Sequence, residues 1–374
     1  MNMKNTLKID IITGSYPPMR CGVGDYTYQL VKALRKEGIA AGVLTSTAAR
    51  LRSTHSFLRP IVRKWTICRM ILQSIKMHRL SHNIVHIQYP TIGYGYHLGP
   101  QILLILLRLK GIKIVSTIHE FHLARTLRRI SLLPFLIWSN SLIFTAEEER
   151  GAVLDAYPWL KRKLQDKCYV IPVGSNIPVI DDHMVTKTGD RIVSFFGLFY
   201  PGRRIELVID SFKKAYERHP DLKFRLIGDI HPRHKAYFHK IRSYAEDILP
   251  LDRIEWVLGK TPEEIAVALL QSDVCVLPFP DGASFRRTTL IAALSLGVPI
   301  VTSKGRHTPD KLIDAQNVLF AENEDEMAEK INSVLIDKEL SAKLKNNEII
   351  LSRMFSWEQI AREHIRVYTD LISE

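Results

Sequence analysis

Hydrophobic and polar positions along the chain follow a pattern that is typical of buried strands alternating with amphipathic helices. The apolar run Leu7–Ile12 predicts a first strand. Apolar residues at helical spacing then predict a helix that ends at Gly38, and they lie at Tyr26, Leu30, Val31 and Leu34. Further strands are predicted at Ala41–Leu44, Ile84–Gln88, Ile112–Ile118, Leu142–Thr145 and Tyr169–Val173, with helices such as 97–110 and 147–156 between them. Strands that alternate with helices build a parallel, doubly wound sheet.

The polar stretch 178–190 interrupts this pattern and is interpreted as a linker. The alternation then restarts, with a helix predicted at Ile205–Tyr216 and strands at Ile192–Phe196, Phe224–Ile227, Ile254–Leu258, Val274–Leu277, Val298–Thr302 and Val318–Ala321. Three helical stretches close the chain, and the last is Trp357–Ile372. We therefore predict an α/β protein with two Rossmann-like domains, residues 1–180 and 190–355, that face a central cleft. Such sheets bind ligands at the carboxyl ends of their strands.

The composition is that of a globular protein, since 46% of the 374 residues are hydrophobic and 24% are charged. The four cysteines are scattered, which excludes a disulfide scaffold or a zinc ribbon and favours a reducing cytoplasm. The first residues lack the apolar segment expected of a signal peptide. The longest apolar runs, Ile102–Leu107 and Leu132–Trp138, are too short to span a membrane.

Positive charge is concentrated in the first half of the chain. Residues 1–190 carry 26 Lys and Arg against 12 Asp and Glu, whereas residues 191–374 carry 26 against 27. No acidic residue lies between Glu37 and Glu120, although 11 basic residues do. This distribution predicts a surface that attracts polyanions or an anionic membrane, with a generally basic surface as the alternative.

The loop after the first strand is a candidate site. It contains Gly22, Gly24 and Asp25, and it opens a helix. Glycine lets a ligand approach the backbone, and a helix N-terminus favours an anion, although a simple tight turn would have the same sequence. Thr27 replaces the third glycine of the Gly-x-Gly-x-x-Gly pattern, so a dinucleotide-binding loop is not predicted.

A second candidate site in this half is the pair His119 and Glu120, which follows the strand Ile112–Ile118. Open α/β sheets place ligands at this end of a strand. The alternative is a histidine that only bonds to the local backbone. The His-Glu-Phe-His spacing differs from the His-Glu-x-x-His pattern of metalloproteases, so we predict no metal site.

The second half holds a dense cluster of arginine and hydroxyl groups. Arg203 and Arg204 stand at a predicted helix start, where a bound anion would offset their unfavourable interaction with the helix dipole; two solvated arginines are the alternative. The segment 280–289 runs into a predicted helix at Leu290–Leu296, and its arginine, hydroxyl and helix N–H donors suit a diphosphate. Its candidate residues are Asp281, Ser284, Arg286, Arg287, Thr288 and Thr289.

Several segments of the chain resemble the retaining, nucleotide-sugar-dependent glycosyltransferases of family 4, which have the GT-B fold, and they follow one another in the same order as in that family. The resemblance runs nearly from end to end and rests on residues 15–34, 114–120, 145–150, 171–178, 195–212, 274–302 and 355–364. It implies that the helix after residue 355 crosses back to the first domain. The implied catalytic residues are Asp25, His119 and Glu120, and the implied donor-binding residues are Gly22, Gly24, Arg203, Arg204, Gly228 and the six of segment 280–289.

Within this resemblance, Arg203 stands where the family usually has a lysine that binds the donor diphosphate, and His119 would face the transferred sugar. The chain also departs from the family pattern. Leu198 occupies the usual position of a phosphate-binding arginine. Ser284 and Ala292 occupy the positions of two glutamates that usually bind the sugar hydroxyls and the ribose, and Asp281 could replace only the first.

The resemblance implies an enzyme that moves a sugar from a nucleoside-diphosphate sugar to an acceptor glycan with retention of configuration, in cell-surface polysaccharide synthesis. It implies no cofactor and, in most members, no metal. The alternatives are a catalytically inactive GT-B scaffold that acts as a binding or regulatory subunit, favoured by the missing glutamates, and a nucleic-acid-binding protein, which explains only the charge.

Two stretches interleave basic with apolar residues, at 50–79 and at 125–138. Such stretches suit a helix that lies in an anionic lipid interface. For residues 130–138, an ordinary helix with a buried apolar face is an equal alternative. We therefore predict a cytoplasmic protein attached peripherally to the inner face of the membrane, with a lipid-linked acceptor and no nucleic-acid partner.

Overall fold

A computed structural model of the chain describes residues 7–19, 21–51, 57–78, 84–121, 124–181, 183, 185–186, 189–231 and 233–373. The chain divides into two compact units, one formed by residues 1–174 with 356–374 and the other by residues 175–355. Among the described residues, no helix is both long enough and apolar enough to cross a membrane.

The first unit is a parallel sheet with helices on both faces. Its strands are β1 (Lys8–Ile12), β2 (Ala40–Ser46), β3 (Leu58–Val62), β4 (Ile84–Tyr89), β5 (Lys113–Ile118), β6 (Ser141–Phe144) and β7 (Cys168–Val170). Its helices are α1 (Gly22–Lys36), α2 (Ile67–His78), α3 (Gly99–Leu109), α4 (Thr126–Trp138), α5 (Glu147–Ala156) and α6 (Lys161–Gln165). The strand order is β3-β2-β1-β4-β5-β6-β7. The order reverses between β1 and β4, and open sheets of this kind bind ligands at that point.

Successive side chains of each strand lie on opposite faces of the sheet. Ile11 and Val43 pack on the face that carries α1, whereas Ile12 and Leu44 pack on the face that carries α2 to α4. The last helix of the chain, residues 357–373, also lies in this unit and packs against α1. Its apolar residues join the α1 core at Ile360, Ala361, Ile365, Val367, Tyr368 and Leu371.

The second unit repeats the same plan. Its strands are β8 (Arg191–Phe196), β9 (Leu222–Gly228), β10 (Ile254–Leu258), β11 (Val274–Leu277), β12 (Ile300–Thr302) and β13 (Leu319–Phe320). Its helices are α7 (Ile205–Arg218), α8 (Lys235–Ile248), α9 (Pro262–Leu270), α10 (Thr288–Leu296), α11 (Glu324–Ile336) and α12 (Lys338–Ser352), and the terminal helix of the first unit is then α13 (Trp357–Ser373). The parallel order β10-β9-β8-β11-β12-β13 reverses between β8 and β11.

Local sequence signals explain several helix ends in this unit. Thr261 and Glu264 form a reciprocal capping box at the start of α9. The side chain of Asn323 accepts a hydrogen bond from the backbone of the first turn of α11. Gly297 ends α10 in the left-handed conformation, where a side chain would be strained.

The structure differs from the predicted elements most in the basic stretch 50–79. We predicted a helix lying in a lipid interface there, but residues 58–62 form strand β3, and α2 begins only at Ile67. Several apolar residues assigned to that interface are buried in the core instead, namely Val62, Trp65, Met70 and Met77. Arg52 and Arg79 of the same stretch lie outside the described residues. Helix α1 begins at Gly22, so Gly22 and Gly24 both belong to its first turn.

Candidate functional site

In the second unit, the strand ends on both sides of the reversal point carry close backbone contacts. Gly228 has a φ of 151°, and a Cβ added to it would lie 1.8 Å from the carbonyl oxygen of Gly197. Gly282 has a φ of 89°, and its Cβ would lie 2.4 Å from the backbone nitrogen of Gly305. Packing and backbone conformation therefore require glycine at both positions. For Gly228, this explains the residue without any contact to a nucleotide-sugar donor.

Arg203 lies between aromatic rings at this edge of the sheet. Its guanidinium carbon lies 5.4 Å from the ring centre of Tyr200 and 5.8 Å from that of Phe279. Its Nε is buried and has no hydrogen-bond partner among the described residues. Burial lowers the pKa of this guanidinium, and the nearby Arg287 charge acts in the same direction, whereas Tyr200 and Asp281 oppose the shift. A buried guanidinium nitrogen without an acceptor is costly, so this position is suited to an anion.

Arg287 also lies near the Phe279 ring. Its guanidinium carbon lies 5.0 Å from the Phe279 ring centre, and it forms an ion pair with Asp281. Arg204 adopts a left-handed conformation with a φ of 52° at the start of α7, and it donates a 3.3 Å hydrogen bond to the carbonyl of Glu322. Asp281 and Arg204 therefore have protein partners, whereas the Nε of Arg203 has no hydrogen-bond partner in the part of the chain that the structure describes.

The first turn of α10 completes this group of donors. Helix α10 starts at Thr288, and Thr289 in its first turn has a buried hydroxyl without a hydrogen-bond partner among the described residues. Ser284 is buried just before it, and Arg286 is half-buried and has a partner of its own. The first backbone N–H groups of a helix have no partner within the helix, so they add anion-binding capacity here.

In the first unit, the loops after β1 and β4 meet at the reversal point. A Cβ on Gly93 would lie 1.8 Å from the carbonyl oxygen of Gly14, and a Cβ on Gly24 would lie 3.1 Å from that of Ser15. A Cβ on Gly22 would meet nothing within 4 Å. Packing therefore accounts for Gly24 but not for Gly22. Asp25 is half-buried in the same turn of α1, and burial raises the pKa of its carboxyl group.

His119 follows β5, and its ring nitrogen Nε2 lies 2.7 Å from Oε1 of Gln88 at the end of β4. The Tyr26 ring meets the imidazole at 78°, with 4.9 Å between ring centres. Burial and, to a lesser extent, the nearby His364 lower the pKa of His119 to about 3, so the ring is neutral at pH 7. The predicted alternative of a purely local backbone bond is therefore wrong for the side chain, which bonds to Gln88.

Glu120 is not part of this hydrogen-bonded group. Its carboxylate is half-exposed and accepts a 3.3 Å hydrogen bond from Arg128 on α4. An exposed ion pair of this kind contributes little to stability. The structure thus brings His119 together with Gln88 and Tyr26, which the sequence analysis missed.

A separate cavity of about 510 Å³ in the first unit contains none of the predicted site residues. Its lining is Arg108, Ile137, Trp138, Ser139, Lys163 and Lys167. Burial and, to a lesser extent, the charge of Lys163 lower the pKa of Lys167 to about 8. The described residues contain no group of three or more His, Cys, Asp or Glu that could hold a metal ion.

Comparisons with known proteins agree with this architecture. The chain is similar to the crystal structure of a glycosyltransferase from Rickettsia africae, with a TM-score of 0.75 and 14% identity over 98% of this chain and 99% of that one. It is also similar to Anabaena Alr3699/HepE in complex with UDP and glucose, with a TM-score of 0.71 and 14% identity over 97% and 99% of the two chains. The protein therefore has the GT-B fold, as the sequence predicted.

Residues 177–349, which lie in the second unit, match the family model described as "Glycosyl transferases group 1". An uncharacterized glycosyltransferase of Methanocaldococcus jannaschii is 26% identical over 216 residues, which are 57% of this chain and 56% of that protein. The phosphatidylinositol N-acetylglucosaminyltransferase gpi3 subunit of Schizosaccharomyces pombe is 23% identical over 196 residues, 52% and 41% of the two chains. The chain spans about half the length of these curated relatives.

Proposed function

We propose that the protein is a glycosyltransferase that moves a sugar from a nucleoside-diphosphate sugar to an acceptor glycan with retention of anomeric configuration. The observation that carries this proposal is the buried Nε of Arg203, which has no hydrogen-bond partner among the described residues and lies in the segment that matches the group 1 glycosyltransferase model. A diphosphate would supply the missing acceptor and the counter-charge. The similar HepE structure contains UDP and glucose, which is consistent with such a donor.

The chemistry requires stabilisation of the leaving diphosphate. We assign this role to Arg203, to Arg287 and to the first-turn amides of α10, because preorganised donors stabilise charge that develops as the bond breaks. In the proposed step, the bond from the sugar C1 to the diphosphate oxygen breaks. The acceptor oxygen then bonds to C1 on the same face, and its proton passes to the leaving phosphate. His119 is the proposed contact to the transferred sugar.

We further propose that transfer needs no metal ion, because arginine side chains are available for the role that a divalent cation has in other diphosphate sites. Activity is then expected to be unchanged by EDTA. A loss of activity on chelation that is restored by Mg²⁺ or Mn²⁺ would contradict this part of the proposal.

We propose that the acceptor is lipid-linked and that the protein acts at the anionic inner face of the membrane in cell-surface polysaccharide synthesis. Helix α2 exposes a stripe of apolar residues at Ile67, Ile71, Leu72 and Ile75. Exposed basic residues accompany it at Arg63, Lys64, Arg69 and Lys76. Apolar side chains beside basic ones favour an anionic lipid surface. The name of the gpi3 relative refers to a phosphatidylinositol substrate, which is in line with a lipid acceptor.

The proposed function is tested with a panel of nucleoside-diphosphate sugars. A donor that binds should stabilise the protein by roughly 2–4 kcal/mol at saturating concentration, which a thermal shift detects. The donor so identified is then incubated with candidate lipid-linked acceptors, and NMR of the product gives the anomeric configuration. Retention supports the proposal, whereas inversion or the absence of any binding donor contradicts it.

A catalytically inactive scaffold is the second candidate, and one observation favours it. Ala292 and Ser284 stand where the resembling family has two glutamates, and Ala292 is fully buried in α10. Slow hydrolysis of the bound donor without acceptor would distinguish the two functions. Hydrolysis that disappears in a His119→Ala variant supports an enzyme, and tight donor binding without hydrolysis or transfer supports a scaffold.

A further inference from the structure

A buried chain of hydrogen bonds connects His119 to the C-terminal helix. His119 Nε2 lies 2.7 Å from Gln88 Oε1, and the amide nitrogen of Gln88 lies 3.2 Å from Nε2 of His86. Nδ1 of His86 lies 2.6 Å from the hydroxyl of Tyr368 on α13. Gln88, His86 and Tyr368 are fully buried, so none of these groups exchanges its partner for water. Through the bond between His86 and Tyr368, this series of hydrogen bonds joins residues that lie 282 positions apart in the sequence.

The chemistry of the amide gives these bonds a direction. The oxygen of Gln88 can only accept, so the proton of neutral His119 is on Nε2. The amide nitrogen can only donate, so Nε2 of His86 is unprotonated and its proton is on Nδ1, where it is donated to Tyr368. The hydroxyl of Thr117 lies 2.7 Å from Nε2 of His86 and donates to the same lone pair.

A second set of contacts holds the His119 ring from the side. Nδ1 of His364 donates a 2.7 Å hydrogen bond to the carbonyl of Ile360, which leaves Nε2 as an acceptor for the Tyr26 hydroxyl at 3.2 Å. The ring of Tyr26 then packs against His119. Both His364 and Tyr368 belong to α13, so the terminal helix supports the imidazole through two routes.

We infer that Gln88, linked through His86 to Tyr368, is a positioning residue that fixes the proton of His119 on Nε2. This inference rests on the proposed function, in which His119 contacts the transferred sugar. The unprotonated Nδ1 is then the nitrogen that accepts a hydrogen bond from a sugar hydroxyl. Reversal of the Gln88 amide would move the proton to Nδ1 and turn the same nitrogen into a donor.

The test uses the full chain labelled with ¹⁵N-histidine. A His119→Asn variant identifies the signals of this ring by their loss. We expect wild-type His119 to show the Nε2–H tautomer and a downfield Nε2–H proton that exchanges slowly with solvent. Detection of the Nδ1–H tautomer in the wild type would overturn the inference.

Gln88→Leu removes the acceptor and should abolish the slowly exchanging proton, whereas Gln88→Glu keeps an acceptor and should restore it. Gln101 offers a matched control, because it is also buried in this unit but bonds to Tyr89 and Ser131. Gln101→Leu should leave the His119 signal unchanged. Persistence of the signal in Gln88→Leu contradicts the inference.

Tyr368→Phe tests the far end of the chain. It removes the acceptor for the His86 proton, so we expect His86 to move this proton to Nε2, the Gln88 amide to reverse, and the Nδ1–H tautomer of His119 to appear. An unchanged tautomer in this variant would show that α13 does not fix the ring and would overturn the inference.

Steady-state kinetics of the Gln88 and His119 variants distinguish a failure of this inference from a failure of the proposed function. Gln88→Leu should lower kcat about tenfold and leave the donor KM within about twofold, since one hydrogen bond to a positioned group is lost. Gln88→Glu should recover most of kcat. If His119→Asn transfers sugar at the wild-type rate, the proposed role of His119 fails. The NMR signals still decide the hydrogen-bond chain in that case.

Discussion

The guanidinium carbon of Arg203 lies 5.8 Å from the ring centre of Phe279, and Arg287 approaches the same ring to 5.0 Å. Two cations therefore share one aromatic ring at the strand ends of the second unit. The negative face of the ring attracts both, and Asp281 neutralises Arg287. Asp281 also acts on the Arg203 guanidinium, but the Nε of Arg203 has no hydrogen-bond partner among the described residues. This difference identifies Arg203 as the first residue to test for diphosphate binding.

We expect Arg203→Ala to weaken binding of the nucleotide donor by about 1.5–3 kcal/mol, because a charge-assisted hydrogen bond at a partly dry site is lost. This corresponds to roughly 10- to 150-fold in Kd, measured by titration calorimetry with the donor that stabilises the protein. Arg204→Ala is the control and should change Kd less than about twofold, since Arg204 bonds to the Glu322 carbonyl. A twofold or smaller effect of Arg203→Ala would remove the diphosphate assignment.

His119→Ala should reduce turnover far more than nucleotide affinity. The ring lies at the end of β5 in the first unit, whereas the proposed diphosphate site lies in the second unit. Loss of one oriented polar group at a reacting centre lowers kcat by about 100-fold. Steady-state kinetics and nucleotide titration measure the two effects separately. Loss of nucleotide affinity with normal turnover would reverse the assignment.

The two-sheet architecture could be predicted because parallel strands and helices alternate in the apolar pattern. Strand β3 could not be predicted from this pattern, because it contains Pro60 and pairs at the edge of the sheet. Arg59 within this strand also forms an ion pair with Asp10 of β1. Glycines and arginines after strand ends gave a signal for the anion site. No sequence signal pointed to Gln88, because its role depends on its link through His86 to Tyr368 of the C-terminal helix α13.

Stability should fall as the pH drops below about 6.5, because the half-buried His119 and the buried His86 and His364 resist protonation in the folded state. Burial lowers the pKa of His119 to about 3, that of His364 to about 4, and that of His86 well below its usual value. In the unfolded chain histidine titrates near 6.5, so the unfolded state binds the extra protons between these values. The contribution of these histidines to the free energy of unfolding is then constant well above pH 6.5 and decreases below it, by up to about 1.4 kcal/mol per pH unit for each histidine.

Urea unfolding at pH 7.5, 6.5 and 5.5 measures this dependence. His364→Gln removes one of the three groups and should make the decrease below pH 6.5 less steep, whatever its effect at pH 7.5. His97 is exposed, and His97→Gln should leave the slope unchanged. An equal slope in the wild type and in His364→Gln would show that His364 is protonated in the folded protein.

Two glycine substitutions distinguish a glycine that is needed for packing from one that is needed for substrate to approach the backbone. Gly22→Ala places a Cβ in open space within a helix, so it should stabilise the protein by about 0.5–1 kcal/mol while lowering turnover if substrate approaches this turn. Gly228→Ala forces a contact with the Gly197 carbonyl and should destabilise by about 1–3 kcal/mol. Thermal unfolding and initial rates give both quantities. Full activity in Gly22→Ala would assign this glycine to the turn alone.

Membrane attachment is tested by sedimentation with vesicles that contain an anionic phospholipid. We expect the wild-type protein to sediment with them at low salt and to be released at high salt, because each basic residue near the surface contributes about 1 kcal/mol. Reversal of Arg63, Lys64, Arg69 and Lys76 to Glu should abolish binding without changing nucleotide affinity. These four side chains are exposed and accompany the apolar stripe of α2.

An equal change in net charge elsewhere provides the control for this variant. Lys235, Lys240, Lys338 and Lys343 are exposed in the second unit, and their reversal to Glu changes the total charge by the same amount. If binding depends on the α2 surface, only the first set abolishes sedimentation. If both sets reduce it equally, attraction is governed by total charge, and the position of the basic residues carries no information. Wild-type protein that stays in the supernatant at low salt would contradict membrane attachment, and a soluble acceptor would then be the better proposal.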